Sequence, residues 1–225
     1  MEMKDIKKFD LWKDEFSENS TVKQKQFAFE VKPESEIWES FRNGHEGAFT
    51  FLYNRYFDLL YNFGKKLNFN DELLEDSLQD FFIELRVSRK KLGKVEFVKS
   101  YLYKSFRRKL LRSKKKKLYF IPLHSENQEA FQVSINTELH FIGAQLNNVQ
   151  AKFLEKALNQ LPKRQKEAIY HFYYESFSYS EIAEIMEMGS AKAARNLIYK
   201  GLNSLRKQND SLPDWLLLLL ICVIA

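Results

Sequence analysis

Residues 178–200 read Ser178-Tyr-Ser-Glu-Ile-Ala-Glu-Ile-Met-Glu-Met-Gly-Ser-Ala-Lys-Ala-Ala-Arg-Asn-Leu-Ile-Tyr-Lys200. Ser178 followed three residues later by Glu181 is a capping box, serine at the N-cap and glutamate at N3, so a helix is predicted over Glu181–Met186. Glu187-Met188-Gly189-Ser190 then reads as a turn. Ser190 can cap a second helix, Ala191–Lys207, whose apolar stripe is Ala194, Ile198, Gly201 with Leu202, and Leu205. Two short helices joined by a tight Gly-containing turn are the plan of a helix-turn-helix. Upstream, a helix over Phe153–Gln160 stops at Leu161-Pro162. Proline suits the first turn of the next helix, Lys163–Tyr174, which is expected to bury Ile169 and Phe172.

The outward face of the second helix carries Lys192, Arg195, Asn196, Tyr199 and Lys200. Arg and Lys match guanine edges and phosphates, and Asn matches adenine, so this face has the chemistry of major-groove reading. A plain helical hairpin with a solvated polar face is the competing interpretation.

Working outward, the whole chain suits such a helical protein. It has 225 residues with seven Gly, four Pro and one Cys. So few glycines and prolines argue against a turn-rich all-β fold and against glycine-rich phosphate loops. One cysteine excludes a disulfide framework and a zinc site built on CxxC pairs, which suits a reducing cytoplasm. Met1-Glu-Met-Lys-Asp5 lacks the apolar run of a signal peptide, so export is not expected. The four histidines, His45, His124, His140 and His171, are scattered and form no ligand set.

Charge is unevenly placed. The net charge is +6, yet between Arg86 and Lys117 fifteen Lys or Arg stand against the single acid Glu96, leaving the rest of the chain net acidic. A basic block on an acidic protein is the footprint of a polyanionic partner.

The first half is also helical by period. Phe49, Leu52, Tyr56, Leu59, Phe63 and Leu67 recur at steps of three and four, with Gly44 and Gly47 separating them from a shorter segment around Ile37–Phe41. A helix from Asp71 puts Leu74, Leu78, Phe81 and Leu85 on one face and Asp76, Gln79, Asp80 and Ile83 on the other. A further helix, about 97–112, is predicted to hold Val98, Leu102, Phe106 and Leu110 inside, with Lys99, Lys104, Arg107, Arg108 and Arg112 outside. Of its aromatics, Phe106 is expected in the core, while Tyr101 and Tyr103 could face outward. From Lys114 to about Gln150 the period fades, as in a linker.

These segments carry a resemblance. Residues 178–200, with Leu205-Arg206, resemble region 4 of extracytoplasmic-function sigma factors of the sigma-70 family, with the flavour of Bacteroidetes members, and Ala157-Leu-Asn-Gln-Leu-Pro-Lys-Arg-Gln-Lys-Glu-Ala168 resembles that region's first helix. Glu46-Gly-Ala-Phe-Thr-Phe-Leu-Tyr-Asn-Arg-Tyr-Phe57 resembles the start of region 2. Asp76-Ser-Leu-Gln-Asp-Phe-Phe82 resembles its core-binding helix, and Ser100-Tyr-Leu-Tyr-Lys-Ser-Phe-Arg-Arg108 its promoter-recognition helix. The turn between the two short helices is one residue longer than the usual pattern. Tyr101 stands where tryptophan is common, and Arg108 where asparagine is common.

The resemblance implies an all-α protein of two small helical domains joined by a flexible linker. Its parts are an extension (1–34), region 2 (35–117), the linker (118–150), region 4 (151–208) and an apolar tail (209–225). It implies that Asp76, Gln79, Asp80 and Ile83 dock on the clamp helices of the polymerase largest subunit, and that region 4 rests on the flap. Minus-10 DNA would meet Lys94, Tyr101, Lys104, Arg107, Arg108, Lys114 and Lys115. Minus-35 DNA would meet Ser190, Lys192, Arg195, Asn196, Tyr199 and Lys200. No catalytic residue, metal or cofactor is implied, and an anti-sigma factor is a further candidate partner. A free-standing helix-turn-helix regulator working without core polymerase is the alternative; it has no need for the Leu78-Gln79-Asp80 face. The uncharged run Trp215–Ala225, too short to span a bilayer, is expected to dock on region 4 or on a protein partner.

Overall fold

The computed structural model describes residues 29–118, 131 and 148–208. These form α1 (Glu34–Arg42), α2 (Glu46–Lys66), α3 (Asp71–Ser88), a single 3-10 turn (Arg89–Lys91), α4 (Val98–Leu118), α5 (Asn148–Asn159), α6 (Lys163–Tyr173), α7 (Tyr179–Ile185) and α8 (Ala191–Gln208). No strand occurs among the described residues, as the all-α expectation requires. The N-terminal extension up to residue 28 and the tail from residue 209, with its apolar run, lie outside the described residues.

The helices assemble into two compact units whose borders fall inside helices. The first comprises the described residues up to Leu59 together with Leu78–Lys99. The second comprises Leu60–Ser77 and the described residues from Ser100 onward.

The first unit is built on aromatic side chains. Ile37, Trp38 and Phe41 are the buried face of α1. The Trp38 indole N–H donates to the Gly93 carbonyl at 3.0 Å, and Arg42 Nε donates to the Leu92 carbonyl at 2.7 Å, which pins the basic loop after α3 onto α1. At the α1–α2 corner Gly44 has φ +91°, a conformation that costs glycine nothing. Phe82 meets Tyr53 edge-on at 4.9 Å between ring centroids, and Phe49 and Phe57 complete that cluster. Tyr56 donates its hydroxyl to Glu34, which also pairs with Arg55.

In the second unit, Leu60, Phe63, Leu67 and Leu74 are buried. Asn70 caps α3, its Oδ1 accepting from the Leu73 N–H at 3.1 Å. Phe63 and Tyr103 pack at 5.1 Å, and His171 and Phe177 join them. Helices α6, α7 and α8 close around Ala168, Ile169, Ile182, Ile185, Ala194, Ile198, Leu202 and Leu205, all buried. Phe131 lies fully buried, its ring 5.5 Å from that of Tyr170.

Several expectations need correction. Leu59, placed on the inner stripe of α2, is 38% exposed, and Leu60 is buried in its place, because the register there steps by four from Tyr56. Tyr103 points inward, packed by Phe63 and Phe177, and only Tyr101 is half-exposed. Phe172 is half-buried and stacks on Tyr179 at 4.8 Å. Helix α4 runs on through the lysine run to Leu118, since Lys is a good helix former and nothing from Arg112 to Leu118 breaks the ladder.

Candidate nucleic-acid interface

Helix α7 starts as the sequence predicts. The Ser178 hydroxyl accepts from the Glu181 N–H at 3.3 Å, and the Glu181 carboxylate accepts from the Ser178 N–H at 2.9 Å. Its C-terminus is a Schellman closure, with the Met188 N–H on the Ala183 carbonyl at 2.7 Å and the Glu187 N–H on the Glu184 carbonyl at 3.3 Å. The left-handed position of that closure is Glu187, φ +54°, rather than Gly189 two residues on. Ser190 Oγ accepts from the Ala193 N–H at 3.2 Å and caps α8.

Helix α8 separates its faces cleanly. Ala194, Ile198, Leu202 and Leu205 face the core, and Lys192, Arg195, Asn196, Tyr199 and Lys200 are exposed, as is Ser190. Positions 192, 195, 196 and 199 follow the i, i+3, i+4, i+7 spacing of one helical face. Tyr199, 59% exposed, is a large aromatic left in water beside two cations. Such a surface offers fork donors, an amide and an apolar ring to a groove.

Helix α4 presents its cations differently from the sequence expectation of a free outer face. Arg107 is nearly buried, its Nε 2.6 Å from Glu167 Oε1 and its Nη2 3.3 Å from Oε2, and Glu167 is wholly buried. Lys104 Nζ lies 3.2 Å from Glu184 Oε2. Arg108 Nε meets Glu187 Oε1, and this guanidinium holds the Glu187 carboxyl below the usual carboxylate range. Lys94 is exposed. Lys114 and Lys115 lie in the last turns of α4, their side chains outside the described set.

On α3, Asp76 and Asp80 are exposed, Gln79 is half-exposed and Ile83 is 48% exposed, so the four share an accessible face. One turn on, Val87 is 78% exposed and extends its apolar part. A mixed acidic and apolar face of this kind suits a basic partner surface. Sequence reasoning missed the three carboxylates Glu167, Glu184 and Glu187. They hold the α4 cations from 60 to 80 residues away, and no local pattern marks such pairs. No helix among the described residues is long and apolar enough to cross a membrane.

The fold and these faces define a helical protein with a helix-turn-helix of nucleic-acid-binding character. Residues 154–205 match the family Sigma-70, region 4. Among solved structures, the fold is similar to that of CnrH in complex with the cytosolic domain of CnrY, with TM-score 0.53, 15% identity, and coverage of 80% of this chain and 99% of that one. It is also similar to the sigma factor RpoE in complex with the anti-sigma factor NepR from Bartonella quintana, with TM-score 0.51, 20% identity, and coverage of 71% and 94%. No curated protein matches the chain by sequence. The match over residues 154–205 bears out the resemblance of that segment to region 4 of the sigma-70 family, and the shared fold agrees with it.

Proposed function

We propose that the chain is an RNA polymerase sigma factor that directs promoter-specific initiation. The observation that carries this reading is the region 4 match over residues 154–205, set behind an N-terminal helical segment in a fold shared with CnrH and with the sigma factor RpoE over most of their length. In this reading residues 35–117 are region 2, 118–150 the linker and 151–208 region 4. The protein has no catalytic step of its own, because the polymerase supplies the phosphoryl chemistry. It acts in the cytoplasm.

The exposed α3 face of Asp76, Gln79, Asp80 and Ile83 docks on basic clamp helices of core polymerase. Ion pairs and amide contacts set the register there, and Ile83 supplies desolvated area. Lys94, Tyr101 and the α4 cations Lys104, Arg107 and Arg108, with Lys114 and Lys115 beyond them, hold minus-10 DNA. Phosphate contacts position the strand, while Tyr101 offers a ring for base stacking. Lys192, Arg195, Asn196, Tyr199 and Lys200 of α8, with Ser190 at its start, read the minus-35 element in the major groove. RpoE was solved with an anti-sigma factor, and a regulator of that kind is a candidate partner here.

The test is to reconstitute the purified chain with core polymerase and sequence the transcripts it initiates. A sigma factor gives discrete start sites that share two upstream elements, and replacing Asp80 with Lys abolishes co-elution with core while helical content is unchanged. Promoter DNA binding without any association with core would instead establish a free-standing regulator.

A further inference from the structure

Residues 92–97 join the 3-10 turn to α4 without regular structure, and their course is set from α1 within the first unit. The Leu92 and Gly93 carbonyls, adjacent in the chain, accept from Arg42 Nε at 2.7 Å and from the Trp38 indole N–H at 3.0 Å. Trp38 and Arg42 stand four residues apart, so both donors lie on one face of α1. Trp38 is wholly buried. Arg42 Nη1 meets Glu39 Oε2 at 2.6 Å, a charged pair that fixes the direction of the guanidinium. Gly93 does not shape the segment: its φ is not positive, and a Cβ there would meet nothing within 4 Å. The two side-chain donors do.

The segment held in this way carries exposed groups. Lys90 and Lys91 precede it, Lys94 is exposed within it, and Phe97 at its far end is 58% exposed. Cations and a ring at fixed spacing suit single-stranded nucleic acid, which offers phosphates and base faces. A loose segment of six residues would lose its conformational freedom only on binding and would adapt to many sequences. One held since folding presents a single arrangement, so the restraint acts on selectivity as well as on affinity.

We propose that Trp38 and Arg42 are positioning residues for promoter selection. By holding the Leu92 and Gly93 carbonyls they fix Lys94 and Phe97 in one arrangement, and through it they set which minus-10 sequence is accepted. The proposal rests on the reading of this segment as part of the minus-10 surface given above.

The test uses the full-length chain with core polymerase and two promoter libraries, one randomised over the minus-10 element and one over the minus-35 element. Initiation is counted by sequencing the transcripts. Arg42→Met removes the donor to Leu92 and keeps the aliphatic stem, whereas Arg42→Lys keeps a donor of similar reach. Trp38→Phe, added to Arg42→Met, removes the second donor and keeps a ring. Far-UV circular dichroism and co-elution with core check folding and docking; should the double variant unfold, the Arg42 pair decides. Arg42→Met is expected to lower discrimination between the favoured minus-10 sequence and its single-base variants about tenfold, the size of one base pair's readout, with minus-35 preference unchanged. Arg42→Lys restores the discrimination, and adding Trp38→Phe deepens the loss. Unaltered minus-10 preference in Arg42→Met overturns the proposal and leaves the sigma-factor reading standing. A loss that Arg42→Lys does not restore, or that minus-35 preference shares, also overturns it, because α1 then only supports the fold. A wild-type chain that starts no discrete transcripts with core overturns both.

Discussion

Arg107 and Glu167 show how much one residue can decide. Glu167 is wholly buried on α6, and the Arg107 fork supplies two donors to it at 2.6 and 3.3 Å. A carboxylate withdrawn from water is tolerable only with such a partner, and removing one member of a buried pair typically costs about 3–5 kcal/mol. Arg107→Ala is therefore expected to lower the urea unfolding midpoint strongly, by roughly 3 kcal/mol of stability. The double change Arg107→Met with Glu167→Leu removes both charges, keeps the volume, and should recover most of that loss. Equal losses in the single and double variants would show that packing, not the stranded charge, governs the site.

At the scale of elements, the α2–α3 corner depends on one missing side chain. A Cβ placed on Gly64 would stand 2.2 Å from Leu74 Cδ1, and Leu74 is fully buried. Alanine is favoured over glycine inside a helix by about 1 kcal/mol, yet overpacking costs about 1–3 kcal/mol. Gly64→Ala should therefore destabilise by about 1 kcal/mol net, seen as a lower melting temperature, in opposition to helix propensity. Helix α8 makes the opposite case, since among the described residues its outer face is exposed. Arg195→Ala should leave melting unchanged and lose about 1–3 kcal/mol of affinity at one minus-35 position, measured across a library of promoter variants. Uniform loss over all sequences would make Arg195 a phosphate contact. These elements also mark what was legible beforehand. Ser178 with Glu181, Ser190 and Pro162 act through neighbours within four residues, so the helix starts around them could be read directly. Apolar spacing likewise gave the buried face of α8. The inward turn of Tyr103, the exchange of Leu59 for Leu60 and the carboxylates on α4 depend on partners far along the chain. No local period encodes those. The exposed faces of α3 and α8 were legible because a side chain left in water needs no partner.

The molecule as a whole carries a stability profile at alkaline pH that both units share. Burial pushes the Tyr173 hydroxyl up to about 12. Burial, reinforced by the acceptor Glu34, raises Tyr56 in the first unit, and burial with the nearby Glu175 carboxylate raises Tyr170 in the second. An unfolded chain ionises its tyrosines near pH 10, whereas these three stay protonated in the fold. Their contribution is fully present below about pH 10, and above it the unfolded state binds fewer protons, so each raised tyrosine removes roughly 1.4 kcal/mol per pH unit until its own folded value is passed. Two lysines act in the other direction at lower pH. Burial depresses Lys66, which lies over the rings of Tyr170 and Tyr174, and Lys166 as well. Their cost to the fold fades as pH climbs towards about 10.4, and beyond that point they change nothing further. Stability should thus rise slightly or stay level to about pH 10 and then fall by roughly 4 kcal/mol per unit, enough to unfold a domain of ordinary stability within two or three units. Tyrosinate absorbance and far-UV circular dichroism followed together provide the measurement. The expected result is a sharp, cooperative appearance of part of the tyrosinate signal together with loss of helix, after a first gradual phase from exposed tyrosines. Complete gradual titration near pH 10 with helicity retained would mean that the three hydroxyls are open to solvent.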